Sequence, residues 1–182
     1  IPFDEKDNEK LRGVSKMESL DIILEKSSKK YLNDEKQAFA EKKNIIYQQY
    51  LNQMTVEDLP KEVMDTLQKL RNNGLKLAIG SSSKNTLLIL KQIGLENFFD
   101  AISDGTMITY SKPHPEVFMK AADLLNVNYK HCLVVEDAVA GCIAAKSASM
   151  KVAAIASAYG NNVADFHLNC FKDLLIILNT IK

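Results

Sequence analysis

The sequence predicts an α/β fold, in which a parallel sheet with helices on both faces is preceded by a small helical unit. From Pro60 onward, short apolar runs alternate with helical patterns, and this alternation is typical of parallel sheets. Residues 7–57 show helical periodicity without any strand signal. We therefore expect a helical domain over residues 1–57 and an α/β domain over residues 58–182.

Composition narrows the class of protein. The chain has 182 residues, of which 46% are hydrophobic, enough to bury a real core. Lys plus Arg and Asp plus Glu both number 23, so the zero net charge favours neither a nucleic-acid partner nor a membrane partner. The three cysteines form no Cys-x-x-Cys pair, which favours a reducing cytoplasm. We expect a cytoplasmic monomer that binds a small molecule.

The chain begins with Ile-Pro-Phe-Asp, without a Met and without a signal-peptide pattern. From this start we expect a processed, cleaved or truncated chain.

The helical unit is predicted as two antiparallel helices. The first carries an apolar stripe of Leu20, Ile23 and Leu24, and Asn33-Asp34 is a plausible cap for the second. The stripe of the second helix contains Phe39, Ile46, Tyr47, Tyr50 and Leu51. Ahead of the first helix, Leu11-Arg12-Gly13-Val14-Ser15-Lys16 is either an ordinary capping loop or a functional loop.

The α/β domain is predicted to start with a helix that Pro60 opens and Gly74 closes. Gly94 ends the next helix, and a long loop follows Gly105. The predicted order is a helix over 60–73, a strand over 75–80, a helix ending at 93, a strand over 101–103, a helix over 116–125, a strand at 133, a helix over 139–148, a strand over 152–155 and a helix over 171–181.

A hydroxyl-rich turn, Ser81-Ser82-Ser83-Lys84-Asn85, joins the first strand to the next helix. Backbone N–H groups, hydroxyl donors and the positive end of a helix dipole suit a phosphate oxygen. Serines also cap helices in the absence of any ligand. Taken alone, this turn suggests a phosphate site and does not establish one.

Lys112 stands in the loop Ser111-Lys112-Pro113-His114-Pro115. The two prolines stiffen the loop, so the ammonium is presented with little conformational entropy to lose. A compact ammonium suits a phosphate or a transferring phosphoryl group. The alternative is a solvated loop lysine. His114 is interpreted as a loop residue, because no second His or Cys stands at metal-ligand spacing.

The strand Cys132-Leu133-Val134-Val135 ends in two adjacent acids, Glu136 and Asp137. Neighbouring carboxylates repel each other unless a cation lies between them and other ligands, and hard oxygen ligands are those that Mg²⁺ prefers. Alternatively, Asp137 caps the following helix, which leaves Glu136 unexplained. Together the three clusters predict a phosphate-binding turn, a cation and a metal pair at the ends of strands of one sheet.

In these motifs the sequence resembles the haloacid dehalogenase superfamily of phosphotransferases. Ser81 after an apolar strand, Lys112 in Ser-Lys-Pro-x-Pro, and Glu136-Asp137 before Ala140-Gly141 are similar to three of its motifs. Within the superfamily, the stretches at 11–20, 42–44, 81–85 and 111–118 most resemble the β-phosphoglucomutase family. This resemblance implies a Rossmann-like core with a helical cap, Mg²⁺, and interconversion of β-glucose 1-phosphate and glucose 6-phosphate through a bisphosphate and an aspartyl-phosphate enzyme.

The resemblance also implies roles for individual residues. Ser81 and Lys112 would hold the transferring phosphoryl group, and Asp137, supported by Glu136, would ligate or orient Mg²⁺. The other phosphate of a sugar phosphate would lie near the rest of the turn, and the cap would line the sugar pocket. The residues implied for substrate binding are Gly13, Val14, Ser15, Lys16, Lys43, Asn44, Ser82, Ser83, Lys84 and Asn85.

Two features depart from that family. Lys16 stands where the family usually has an arginine, and lysine lacks the bidentate fork. The family's Asp-x-Asp motif, which supplies the nucleophile and the acid/base, does not occur in these residues, and Asp4 and Asp7 are not on an apolar strand. We therefore expect the 182 residues alone to be inactive. The alternatives are a sugar-phosphate phosphatase of the same superfamily and a phosphate-binding module without a nucleophile.

Overall fold

The structure is a computed structural model that describes residues 1–180. The predicted closing helix ran to Ile181, which lies outside the described residues together with Lys182. The described chain folds into α1 (Glu5–Lys10), α2 (Lys16–Leu24), α3 (Asn33–Leu51), α4 (Lys61–Asn72), β1 (Ala78–Gly80), α5 (Thr86–Gln92), β2 (Ala101–Ser103), α6 (Glu116–Leu125), β3 (Leu133–Glu136), α7 (Val139–Ser147), β4 (Lys151–Ile155), β5 (Phe166–Leu168) and α8 (Leu174–Thr180).

All described strands pair in parallel, as the α/β pattern predicts. β1 pairs with β2, with Gly80 opposite Ser103. β3, β4 and β5 form a second parallel group in that order. Among the described strands β1 pairs only with β2 and β3 only with β4. One edge of β1 and one edge of β3 therefore carry backbone groups without a strand partner.

Helices cover both faces of the β3–β4–β5 group. On β4, Val152 and Ala154 face a cluster that includes residues of α6 and α7. Ala153 faces the opposite way, toward Leu70 of α4 and Leu174 of α8. This alternation follows from the period of two along a strand. β4 is thus buried on both faces, and the carboxyl ends of β1 and β3 are open to a ligand.

The predicted helical unit is present as α2 and α3, which pack against each other. Leu20 is buried between them, as the first stripe predicts. Most of the second stripe differs from the prediction, because Phe39, Ile46, Tyr47 and Tyr50 are exposed and only Leu51 is buried. A unit of two main helices lacks the area to cover every apolar side chain of a 19-residue helix.

Several element boundaries differ from the sequence prediction. β1 is shorter than the predicted strand over 75–80, and β5 was not predicted. The predicted cap Asn33-Asp34 is already the first turn of α3. Instead, the Leu32 amide donates to a Glu35 carboxylate oxygen at 2.9 Å, which satisfies the helix start from within the helix. Within residues 1–180, no helix is long and apolar enough to cross a membrane.

Candidate active site

One cavity of about 1390 Å³ lies between the helical unit and the carboxyl ends of β1 and β3. Every site residue predicted from the sequence lines it, although the residues come from five separate stretches of chain. These residues are Gly13, Val14, Ser15, Lys16, Lys43, Asn44, Ser81, Ser82, Ser83, Lys84, Asn85, Lys112, Glu136 and Asp137. The structure thus brings the predicted residues together, while their roles remain predictions.

Lys112 is buried at the junction of the two strand groups. Its ammonium donates to the carbonyl oxygen of Gly80, at the end of β1, at 3.1 Å. The ammonium also contacts the carboxylate of Glu136, at the end of β3, and lies 4.5 Å from the centroid of the Phe118 ring. An ammonium has three donors. Because two of them are used by these partners, one remains for a ligand oxygen.

Glu136 is held against Lys112 by a close approach to Gly141. Both side chains of the pair are 7% exposed. A Cβ atom at position 141 would overlap the Glu136 carboxylate, so only glycine lets that carboxylate lie against the start of α7. The amide of Ala138 also donates to Glu136 Oε2 at 3.3 Å. These contacts direct Glu136 toward the lysine, and its predicted role beside a metal ion stays a prediction.

Asp137, the next residue, has a different environment. Its side chain is 56% exposed, and one oxygen lies 3.3 Å from Nη1 of Arg12 in the loop before α2. The alternative of an Asp137 helix cap is wrong, because the cap position of α7 is Ala138 and no side chain bonds there. Asp137 therefore points its carboxylate to the cavity wall and not into the helix end.

The described residues do not by themselves complete a magnesium site. Mg²⁺ prefers near-octahedral oxygen coordination, and residues 1–180 contain no cluster of three or more His, Cys, Asp or Glu side chains that could hold an ion. Glu136 is neutralised by Lys112. Asp137 is the more exposed carboxylate of the predicted pair, and further ligands would have to join the pair to complete a site.

The serine turn after β1 is organised by its own side chains. The amide of Ser83 donates to Ser81 Oγ at 3.2 Å, and the amide of Asn85 donates to Ser83 Oγ at 3.1 Å. The amides of Ser82 and Lys84 have no acceptor among the described residues. A turn that fixes alternate amides and leaves the others open is suited to an anion.

Gly105 supports this turn from behind. Its amide donates to the carbonyl oxygen of Ser83 at 3.1 Å. A Cβ atom at position 105 would overlap the backbone from Ser82 to Lys84. The amide of Lys112 reaches Ser82 Oγ at 3.5 Å, so the turn and the lysine loop are also connected directly. The position of Lys112 relative to the turn is thus fixed by backbone as well as by side chains.

Asn85 and Asn44 contact each other as well as lining the cavity, and their roles in substrate binding stay predictions. Asn85 is buried, its Nδ2 donates to Asn44 Oδ1 at 3.0 Å, and its Oδ1 accepts from Gln48 Nε2 at 2.9 Å. Asn44 and Gln48 are on α3, so this network joins the helical unit to the core. The side-chain amide of Asn85 therefore has a protein partner on its nitrogen and another on its oxygen.

The wall formed by the helical unit carries positive charge. Gly13 has φ of +80° and lies against Lys112 and Ala138, which brings its loop onto the core. Lys16 and Lys43 line the same cavity. Burial lowers the pKa of Lys43 below its ordinary value even though its side chain is open to the cavity, where its ammonium lies 3.4 Å from Ser19 Oγ.

Glu18, Ser111 and Gln48 line the cavity but were not assigned from the sequence. Glu18 completes a capping box with Ser15: the Ser15 amide donates to Glu18 Oε2 at 2.9 Å, and the Glu18 amide donates to Ser15 Oγ at 3.3 Å. The Ser-x-x-Glu spacing could have located this box. The contact between Glu18 and Ser111, 93 positions apart, has no local sequence signal.

A family model for haloacid dehalogenase-like hydrolases matches residues 2–155. The chain belongs to the haloacid dehalogenase-like hydrolase family. Among members of this family, β-phosphoglucomutase of Bacillus subtilis is 37% identical over 180 residues, which are 98% of this chain and 80% of that protein. The predicted superfamily and the predicted α/β fold with a parallel sheet are both confirmed.

The chain is similar to a mutase and to phosphatases of the haloacid dehalogenase-like hydrolase family. A crystal structure of β-phosphoglucomutase from Clostridium difficile superposes with a TM-score of 0.89 at 36% identity, covering 98% of this chain and 82% of that one. The phosphorylated carbohydrates phosphatase of Thermotoga maritima is 28% identical over 153 residues, covering 82% of this chain and 68% of that protein. These relatives support an enzyme of sugar phosphates in which mutase and phosphatase are the two candidates.

Proposed function

We propose that this chain is the main part of a β-phosphoglucomutase, which interconverts β-glucose 1-phosphate and glucose 6-phosphate through a sugar bisphosphate. The observation that carries the proposal is the single cavity in which a phosphate-binding turn and a buried lysine face a basic wall of the helical unit. Similarity to a mutase along nearly the whole chain supports it. A cytoplasmic location is part of the same proposal.

In this proposal, Lys112 and Ser81 hold the phosphoryl group that is transferred. An enzyme catalyses phosphoryl transfer mainly by holding the reactants in line and by neutralising the charge on the equatorial oxygens. The third donor of the Lys112 ammonium and the hydroxyl of Ser81 would bind two of those oxygens. Because Gly80 and Glu136 fix the ammonium beforehand, little reorganisation is required when the charge develops.

The second phosphate of the bisphosphate would lie farther along the cavity. Ser83 and Lys84 are available from the core, and Lys16 and Lys43 from the helical unit. Lysines on opposite walls let a bisphosphate bridge the two walls, with the sugar between them near Gly13 to Ser15. Asn85 and Asn44 would contribute by fixing the distance between the walls.

A nucleophilic carboxylate and an acid/base are required beyond the residues described. A mutase carboxylate attacks a sugar phosphate, the bond from phosphorus to the sugar oxygen breaks, and the phosphoryl group later passes to another hydroxyl. We propose that a further parallel strand carrying these acids pairs with the unpaired edges of β1 and β3. Its carboxyl end would lie beside Gly80 and Glu136, and hence next to Lys112.

The same strand would supply the missing magnesium ligands beside Asp137. When bound, Mg²⁺ would neutralise charge on the transferring phosphoryl group. Asp137 would reach the ion only by exchanging its contact with Arg12, since this is the contact that the carboxylate makes across the cavity. Glu136 would act indirectly, by holding Lys112.

The test is a product analysis by ³¹P NMR on the protein made from its complete gene. With β-glucose 1-phosphate, a trace of glucose 1,6-bisphosphate and Mg²⁺, we expect glucose 6-phosphate to accumulate while inorganic phosphate stays near background. The 182-residue chain alone is expected to give neither product. Turnover by that chain alone would contradict the requirement for a further strand.

A sugar-phosphate phosphatase is the second candidate. It is favoured by the similarity to the phosphorylated carbohydrates phosphatase. The solvent exposure of Asp137 also favours it, because water in this part of the cavity could reach an aspartyl-phosphate formed nearby and hydrolyse it. Inorganic phosphate released without isomerised sugar phosphate would establish this activity instead. Binding of phosphate without any turnover by the complete protein would favour a module that lacks a nucleophile.

A further inference from the structure

Glu18 connects two loops that the proposed function uses separately. It belongs to α2 of the helical unit, and its Oε2 accepts from the amide of Ser15 at 2.9 Å. The same oxygen accepts the hydroxyl hydrogen of Ser111, which lies in the core loop 105–115. One carboxylate oxygen thus holds the substrate loop of the helical unit and the loop that carries Lys112.

The Ser111 end of this contact is well ordered by its surroundings. Ser111 is buried, and the next residue, Lys112, is buried between Gly80 and Glu136. On the other side, Gly13 packs directly against the Lys112 side chain. Because Ser111 and Lys112 are adjacent, a shift of the Ser111 backbone is passed directly to the lysine.

The charge state of Glu18 favours this role. Burial opposes ionisation, but hydrogen bonds from Ser111 and Ser15 outweigh it, so the pKa of the Glu18 carboxyl lies below its ordinary value. An ionised acceptor makes stronger hydrogen bonds than a neutral one. At neutral pH the carboxylate is thus a fixed anionic link between the two loops.

From this geometry we infer that Glu18 is a positioning residue, which couples the contact between the helical unit and the core to the placement of Lys112. The inference rests on the proposed function for the importance of Lys112, but the coupling itself does not depend on turnover. An ordinary helix-capping role would need the Ser15 contact alone. The additional bond from the Ser111 hydroxyl to the same Glu18 oxygen is what distinguishes coupling from capping.

Hydrogen exchange measured by mass spectrometry on the unliganded 182-residue chain tests the coupling, with Ser111→Ala as the principal variant. This change leaves the capping box intact, yet we expect about fivefold faster exchange in the loop 11–16 as well as in the loop 105–111, as for the loss of one hydrogen bond. We expect the affinity for inorganic phosphate, measured by calorimetry, to fall by a similar factor.

A double-mutant cycle makes the test stricter. Glu18→Ala should accelerate exchange in both loops, and adding Ser111→Ala should produce no further change, because the two residues share one bond. Asp21→Asn is the matched control, since Asp21 is on the same helix but pairs with Lys36 inside the helical unit. This control should leave the loop 105–111 and phosphate binding unchanged.

Two results would overturn the inference. Faster exchange confined to the loop 105–111 in Ser111→Ala would show that Glu18 only caps its helix, and additive effects in the double variant would show that the loops are independent. Coupling observed together with an absence of mutase products from the complete protein would leave this inference standing and reject the proposed function alone.

Discussion

Two adjacent acids at the end of β3 occupy opposite environments. Glu136 is buried and faces Lys112, and both side chains are 7% exposed. Asp137 is largely exposed, and its partner Arg12 comes from the loop before α2 at 3.3 Å. Among the described residues each acid pairs with one cation. The Lys112–Glu136 pair joins parts of the core, and the Arg12–Asp137 pair joins the core to the helical unit.

The difference teaches that neighbouring acids at one strand end can have separate cationic partners. Successive side chains of a strand point to opposite sides, and Gly141 provides room for one carboxylate only. Burial makes the Lys112–Glu136 pair costly to break, whereas solvent screens the Arg12–Asp137 pair. The buried Lys112–Glu136 pair is suited to holding a phosphate-binding lysine in place, and the exposed Arg12–Asp137 pair is suited to exchanging partners.

The largest fall in the free energy of unfolding is expected for Lys112→Ala. Removing one partner of a buried pair leaves Glu136 uncompensated, so the free energy of unfolding should fall by about 3–5 kcal/mol. Chemical denaturation of the 182-residue chain measures it. The double variant Lys112→Met with Glu136→Leu should recover most of this loss. A loss below about 1 kcal/mol for Lys112→Ala would mean that the pair is not buried as described.

Gly141→Ala should have the next largest effect. The added Cβ would displace the Glu136 carboxylate from Lys112, and overpacking of this kind costs about 1–3 kcal/mol. Thermal denaturation is the measurement. Ser147→Ala, at an exposed position of the same helix, is the control and should be close to neutral. Equal effects of the two substitutions would contradict the close approach.

Arg12→Gln should lower the free energy of unfolding least, by about 0.2–1 kcal/mol, because exposed pairs gain little. The effect should shrink further in 0.5 M salt, which screens exposed charges. Denaturation at low and high salt measures both. Asp137→Asn is the companion variant and should behave alike. A salt-independent loss above about 2 kcal/mol would place this pair in the same class as the buried one.

Protonation of Glu116 at low pH should destabilise the loop that carries Lys112. This carboxylate accepts from the amides of Thr109 and Tyr110 and pairs with Lys120. The Lys120 contact and the Tyr110 amide lower its pKa from 4.5 to about 2. Because the folded-state pKa is the lower one, its stabilisation is full above pH 4.5 and is lost as the pH falls toward 2.

Carboxyl NMR titration measures that pKa directly, and Glu116→Gln is the control. The variant should lack this part of the acid sensitivity when its melting temperature is followed from pH 6 to pH 3. A Glu116 carboxyl that titrates near its ordinary pKa would refute the anchoring of the loop by this residue.

Much of the site could be predicted from local patterns. Ser81 and Glu136 each follow an apolar run, and Lys112 precedes Pro113-His114-Pro115, so strand ends and a stiff loop marked them. The carboxyl ends of parallel strands then bring such residues together. Gly13 and Lys43 came from the resemblance to a family and not from any local rule.

Other features depend on contacts between distant segments. The bonds of the Asn85 side chain to Asn44 and Gln48 of α3 have no local sequence signal. The contact of Glu136 with Lys112, for which Gly141 makes room, has no local signal either, and the role of Glu136 at a metal stays a prediction. β5 was missed because three residues that include His167 give too short an apolar pattern to signal a strand.

The central claim is that the buried Lys112–Glu136 pair positions a phosphate-binding lysine, whereas the exposed Arg12–Asp137 pair does not. The affinity of the 182-residue chain for inorganic phosphate tests this claim most directly. Calorimetry should show binding that weakens at least tenfold in Lys112→Met, a loss of about 1.4 kcal/mol. Arg12→Gln should bind within about twofold of the unmodified chain. Equal losses in the two variants, or phosphate binding that is indifferent to Lys112, would contradict the account.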